Sequence, residues 1–138
     1  QKKDGKSYIC LNEYTDRAFK KLVSNKIILK QTNKYESYSI YAPFVLRNKN
    51  KYIMLYSGWS LNPTKGRVMS AVSKNGFVWK KNNKPIIEPS IEYDIKHCSE
   101  PSIIDIKNKF ILIYEGCNST NNWRIMKKEL PKSYDWNY

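Results

Sequence analysis

The chain predicts an all-β protein made of stacked β-propeller blades, and three observations carry the prediction. One stretch occurs twice, apolar residues alternate within each copy, and turn-forming pairs sit where consecutive strands must reverse. The copies read YAPFVLRNKNKYIMLYSGW (residues 41–59) and SEPSIIDIKNKFILIYEGC (residues 99–117), 58 positions apart. In that alignment Pro43 meets Pro101, Asn50 meets Asn108, Tyr56 meets Tyr114 and Gly58 meets Gly116.

Each element of the unit has its own reason. Residues 43–47 form a short first strand with Pro at its entry, where a missing N–H is tolerated. Lys49-Asn50, and Lys107-Asn108 in the second copy, suit two-residue hairpin loops in which Asn can take positive φ. Residues 51–57 form the second strand. Tyr52, Met54 and Tyr56 share one face, Ile53 and Leu55 the other, so both faces are to be covered. Residues 67–72 supply a third strand, and Asn75-Gly76 a tight turn into a fourth at 77–80. Trp123 to Met126 answers Gly66 to Met69 after one deletion.

Four short antiparallel strands per unit make a propeller blade, which buries its faces only against neighbouring blades. The opening segment fits the tail of an earlier blade, with strands expected at 6–11, 18–23 and 26–30. Three segments follow: 1–36, the end of one blade; 37–90, a complete blade; and 91–138, most of the next. The chain thus holds about two and a half blades, whereas closed propellers need about four to eight. Either it is a piece of a longer protein, or a second chain completes the ring; additional blades are the expected partner in both cases.

Bulk composition excludes more than it assigns. No apolar run approaches 18 residues and the start QKKDGKSYICL lacks a signal-peptide core, so no membrane partner is expected. The formal net charge of +13 comes mostly from lysine, since 21 of the 25 basic residues are Lys. They are scattered through turns and not gathered in a stripe, so no specific nucleic-acid partner is expected. Cys10, Cys98 and Cys117 with a single histidine match no zinc spacing, so no metal or cofactor is expected. If the second hairpin keeps strict register from Lys107-Asn108, Cys98 falls opposite Cys117, within disulfide reach.

The segments A-P-F-V, N-K-Y-I-M-L-Y-S-G and R-V-M-S-A-V-S-K-N-G-F-V-W resemble the blades of the five-bladed propeller superfamily of glycoside hydrolases. That superfamily includes families 43, 32, 68 and 130 and uncharacterised glycosidase-like relatives, and the resemblance spans about residues 38 to 127. It implies a carbohydrate ligand at the mouth of the innermost strands, where catalytic members place two carboxylates. Glu100, just before Pro101, stands like the general acid of the family 43 and family 32 enzymes. The first copy has Phe44 where family 43 enzymes carry an acid, so a second carboxylate is expected from blades outside this chain. As sugar-binding candidates the resemblance points to His97, Asp94 and Glu36 on the loops before the inner strands. Tyr41, Trp59 and Trp123 are candidates because a flat ring packs on the apolar face of a sugar. Trp79 reads as blade core, and the recurring Arg67 and Arg124 as structural pairs between blades. The alternative is a non-catalytic repeat scaffold that binds a protein or polyanion through its lysine-rich surface.

Overall fold

A computed structural model describes residues 2–3 and 6–136. The outermost ends of the first and third segments (Gln1, Asp4, Gly5, Asn137 and Tyr138) lie outside the described residues. Ten strands and one 3-10 turn form three antiparallel sheets, with no α-helix among the described residues. The first sheet joins β1 (Lys2–Lys3), β2 (Lys6–Tyr14) and β3 (Leu22–Lys30); the 3-10 turn η1 (Lys34–Glu36) follows. The second runs β4 (Ser39–Asn48), β5 (Lys51–Ser60), β6 (Lys65–Ser73) and β7 (Lys80–Lys81) in chain order. The third contains β8 (His97–Ile106), β9 (Lys109–Cys117) and β10 (Trp123–Pro131). No helix in the described residues is long and apolar enough to cross a membrane.

The repeated hairpins turn where the sequence places them: Asn48 pairs with Lys51, and Ile106 with Lys109. In the first turn it is Lys49, at φ 53°, that is left-handed, and not Asn50. The two faces of β5 separate as its alternation requires. Met54 and Tyr56 pack with Ile9, Leu29 and Ile40 against the first sheet. Ile53 and Leu55 pack with Ile103, Phe110 and Leu112 of the third. The middle sheet is therefore covered on both sides, and the core is made between copies.

Three local expectations are corrected. Residues 18–23 and 26–30 are not two strands. Asp16 accepts hydrogen bonds from the backbone N–H groups of Ala18, Lys20 and Lys21, closing a loop, and Leu22–Lys30 then runs as one strand. The fourth strand at 77–80 shrinks to Lys80–Lys81. Asn75 Oδ1 accepts from the N–H groups of Phe77 and Val78, and Ser73 Oγ from those of Asn75 and Gly76. Those donors are satisfied locally and have no need of a ladder.

The third correction concerns register. Both inner strands carry a bulge, between Tyr41 and Phe44 in β4 and between Ser99 and Ser102 in β8. Ala42 and Glu100, 58 positions apart, share φ 48°. The bulge slips pairing by one residue, so Cys98 lies opposite Gly116 and Cys117 opposite His97. Cys98 and Cys117 thus point to opposite faces of the sheet, and all three cysteines are free. The Cys98 thiol approaches Asp94 Oδ2 (3.6 Å), and burial followed by that carboxylate holds its pKa far above the thiol range.

Candidate functional site

Four of the seven residues singled out in the sequence come together in a row of rings at one end of the inner strands. Tyr41 on β4 stacks on Trp59 of β5 (centroids 6.4 Å apart, planes 25° from parallel). Trp59 meets His97 of β8 at 4.6 Å, and His97 stacks on Trp123 of β10 at 6.0 Å and 20°. The row crosses from the second sheet to the third. Its ends are open, with Tyr41 36% and Trp123 47% exposed, while His97 between them is buried.

Gly66 makes the close packing possible. A Cβ there would lie 2.8 Å from Trp59 Cε2 and 3.1 Å from the Cys98 carbonyl oxygen. The Gly66 N–H also donates to His97 Nδ1 (3.2 Å), which puts the imidazole proton on Nε2. Burial, reinforced by the positive charges of Lys96 and Lys65, lowers the His97 pKa and keeps the ring neutral. His97 therefore presents Nε2–H as a donor, a suitable partner for a hydroxyl oxygen.

Glu100 sits beside this row on the β8 bulge, exposed, with its own N–H donating to Ser57 Oγ of β5 (2.7 Å). A left-handed φ costs a non-glycine residue about 1–3 kcal/mol. Because Ala42 pays the same cost in the other copy, that strain belongs to the blade and is no mark of chemistry at Glu100. Tyr41 registers the local field. Its phenol is raised first by burial and then by the negative charges of Glu100 and Glu115. The Trp59 indole N–H, buried and without a well-formed hydrogen bond among the described residues, opposes that rise and outweighs either carboxylate. Glu115, paired with Ser99 near the end of β9, is a second carboxylate at this mouth that the repeat did not flag. Its counterpart in the first copy is Ser57, a difference visible in the aligned copies.

Glu36 and Asp94 are placed elsewhere. Both are buried, and their carboxylates serve the blade interior. Glu36 accepts from Thr32 N (3.0 Å), Thr32 Oγ1 (3.2 Å) and Tyr56 OH (3.1 Å), and it pairs with Lys81. Asp94 accepts from Ser90 N (3.1 Å), Ile91 N (3.0 Å) and Tyr114 OH (3.0 Å). Burial and the adjacent carboxylate push both tyrosines well above their ordinary range. Buried and hydrogen-bonded within the fold, neither acid is open to a ligand. The recurring arginines follow the same logic: Arg67 lies 5.1 Å over the Tyr35 ring and Arg124 4.9 Å over Tyr93. Arg67 also pairs with Glu88 (3.0 Å) within the 37–90 segment, so the expected salt bridge forms inside one blade, while its ring contact reaches Tyr35 of the preceding segment. Trp79 packs against the core, as its position predicts.

A cavity of about 370 Å³ opens beside Tyr41 between β2 and β4, lined by Asn12, Asn25, Ala42 and Pro43 among others. Among the described residues no group of three or more His, Cys, Asp or Glu could hold a metal ion.

Solved structures share this fold. A glycosyl hydrolase from Bacteroides ovatus matches 70% of the chain at TM-score 0.61 and 17% identity, over 30% of its own length. Sucrose-6-phosphate hydrolase from Lactobacillus gasseri matches 77% at TM-score 0.67 and 12% identity, over 22% of its length. A third match comes from glycoside hydrolase family 130, the mannoside phosphorylases containing glycoside hydrolases that target β-1,2-mannosidic linkages in Candida mannan. It matches 70% of the chain at TM-score 0.61 and 18% identity, over 30% of its length. The chain spans less than a third of each of these proteins. No family model matches it, and no curated protein matches it by sequence. The likeness shows the fold alone: the chain shares the β-propeller architecture of these structures over less than a third of their length.

Proposed function

We propose that the chain forms part of a glycosidase-like propeller that takes carbohydrate at the mouth of its inner strands. The row of Tyr41, Trp59, His97 and Trp123 is the observation that carries this reading. Its two exposed end rings offer flat apolar platforms for sugar C–H faces, while His97 Nε2–H and the Glu100 carboxylate supply a donor and an acceptor for hydroxyls. Hydrolysis needs two carboxylates across the scissile bond. Glu100 is the acid on this chain, and the rest of the propeller, from the same protein or a second chain, is the source of its partner.

A glycan array probed with the chain, followed by titration of the best ligand, tests the reading. Tyr41→Ala and Trp123→Ala are each expected to weaken binding by about tenfold, the worth of one stacked ring. Glu100→Gln keeps size and removes charge, and is expected to weaken it as well. Affinity left unchanged by all three substitutions would place the sugar elsewhere.

A further inference from the structure

A second cavity lies at the opposite end of the strands from the aromatic row. It encloses about 970 Å³ between the β4–β5 turn, the end of β6 and the segment after β10. Five lysines line it (Lys49, Lys51, Lys74, Lys80 and Lys132) against one carboxylate, Asp135. Lys132 is engaged by Asp105 and by the Ile106 carbonyl oxygen (3.2 Å). Lys49, Lys74 and Lys80 are exposed and have no carboxylate partner among the described residues.

A second observation, independent of charge, points the same way. Trp136 forms part of the cavity wall and is 1% exposed, yet its Nε1–H has no acceptor among the described residues. Trp79, at the same place in the preceding copy, donates its Nε1–H to the Gly76 carbonyl oxygen (2.8 Å). The second copy has lost that internal acceptor. Trp136 is nonetheless firmly held: its ring packs edge-on against Phe110 (5.5 Å) and Tyr134 (4.9 Å), and Asn82 Nδ2 donates to its carbonyl oxygen (3.2 Å). A buried donor left unpaired costs about 1–3 kcal/mol, and Trp136 bears that cost in the wall of the cavity.

We infer that this cavity is a binding site for a small phosphate or sulfate ester, separate from the sugar mouth. The oxyanion meets Lys49, Lys74 and Lys80 as point charges beside the Trp136 ring, whose buried indole N–H reports on the charge brought into the cavity. Lysine ammonium groups suit tetrahedral oxyanions, and five lysines against one carboxylate among the described residues leave the cavity positive.

The four tryptophans give four indole N–H resonances, and Trp136→Phe identifies that of Trp136. Inorganic phosphate, inorganic sulfate and phenyl phosphate are titrated at ionic strength matched with potassium chloride. Expected is a saturable shift of the Trp136 resonance, with those of Trp59, Trp79 and Trp123 unmoved; the stronger of phosphate and sulfate names the ester. Lys74→Gln and Lys80→Gln, both at exposed positions, are each expected to weaken the titration about tenfold. Lys127→Gln on β10 is expected to leave it unchanged. A Trp136 resonance that ignores all three anions, an undiminished response in the Lys74 and Lys80 variants, or an equal loss in the Lys127 variant would overturn the site.

Discussion

Replacing Lys81 by Met probes the joint between the first sheet and the second. Lys81 Nζ reaches across from β7 to the Lys30 carbonyl oxygen at the end of β3, to Thr32 Oγ1 (3.2 Å) and to Glu36. The Glu36 side chain is fully buried and that of Lys81 is 12% exposed, so solvent screens the pair little. Burial lowers the Lys81 pKa and Glu36 opposes that shift, so the ammonium is held by its partner. Two charges about 4 Å apart interact by about 4 kcal/mol at an effective dielectric near 20. Removing one partner of a buried pair costs about 3–5 kcal/mol because the other is stranded. Lys81→Met is therefore expected to destabilise the chain by about 3–5 kcal/mol, or about 10–20 °C in Tm at this size. Thermal melts of the four members of the Lys81→Met, Glu36→Gln cycle measure it. The double variant is expected to recover much of the loss, since a neutral Gln still accepts from Thr32. A single-variant loss below about 1 kcal/mol, as for an exposed pair, would refute the reasoning, as would a double variant no better than Lys81→Met.

Other outcomes follow from the same geometry. Gly58→Ala and Gly116→Ala both place a Cβ 2.7 Å from a methionine Cγ, but the next obstacle is Asp94 Cβ at 2.9 Å for Gly116 and Glu36 Cβ at 3.3 Å for Gly58. Overpacking costs about 1–3 kcal/mol, and denaturant melts should show the Gly116 variant as the worse; the reverse order would contradict this. Under denaturing, non-reducing conditions three thiols should titrate, and in the native state Cys98 should resist alkylation; a count of one would contradict the register. His97 has a folded pKa below its ordinary 6.5, so the unfolded chain binds a proton that the folded chain refuses. Its contribution is complete above about pH 6.5 and is lost as pH falls from there toward the lowered folded value. An NMR titration giving a His97 pKa of 6.5 or higher would reverse that sign. Ile104 and Ile125 are 47% and 72% exposed on the face of the third sheet turned away from the core, so light scattering should show self-association; a monodisperse monomer would count against the expected partner blade.

Much of this architecture is legible in the residues. The alternation in β5 foretells two covered faces because Met54 and Ile53 meet different cores, and the Lys-Asn pairs foretell the hairpins. What escapes notice is set by side chains satisfying backbone groups at short range. Nothing about Ala42 or Glu100 announces positive φ, since neither is glycine, yet the bulge they form shifts every pair beyond it. The aromatic row was foreseeable as a set, because strand mouths gather at one end; its ring-to-ring order depends on Gly66. Glu36 and Asp94 misled as loop acids. Their burial depends on Tyr56 and Tyr114, 20 residues further along the chain, whose hydroxyls reach back to them.

The inner-strand bulge separates two duties within one strand. In β4, Ile40 faces the first core while Phe44 and Leu46, at positions of the same parity, face the second. One inserted residue switches the strand from one neighbour to the other. The residue at the switch has no cross-strand partner and no fixed place in either core, which leaves its side chain free to vary. One copy holds Ala42 in this socket and the other holds Glu100. A duplicated blade can therefore diverge at the mouth, acquiring or losing an acid by one codon change, while its hydrophobic pattern stays intact.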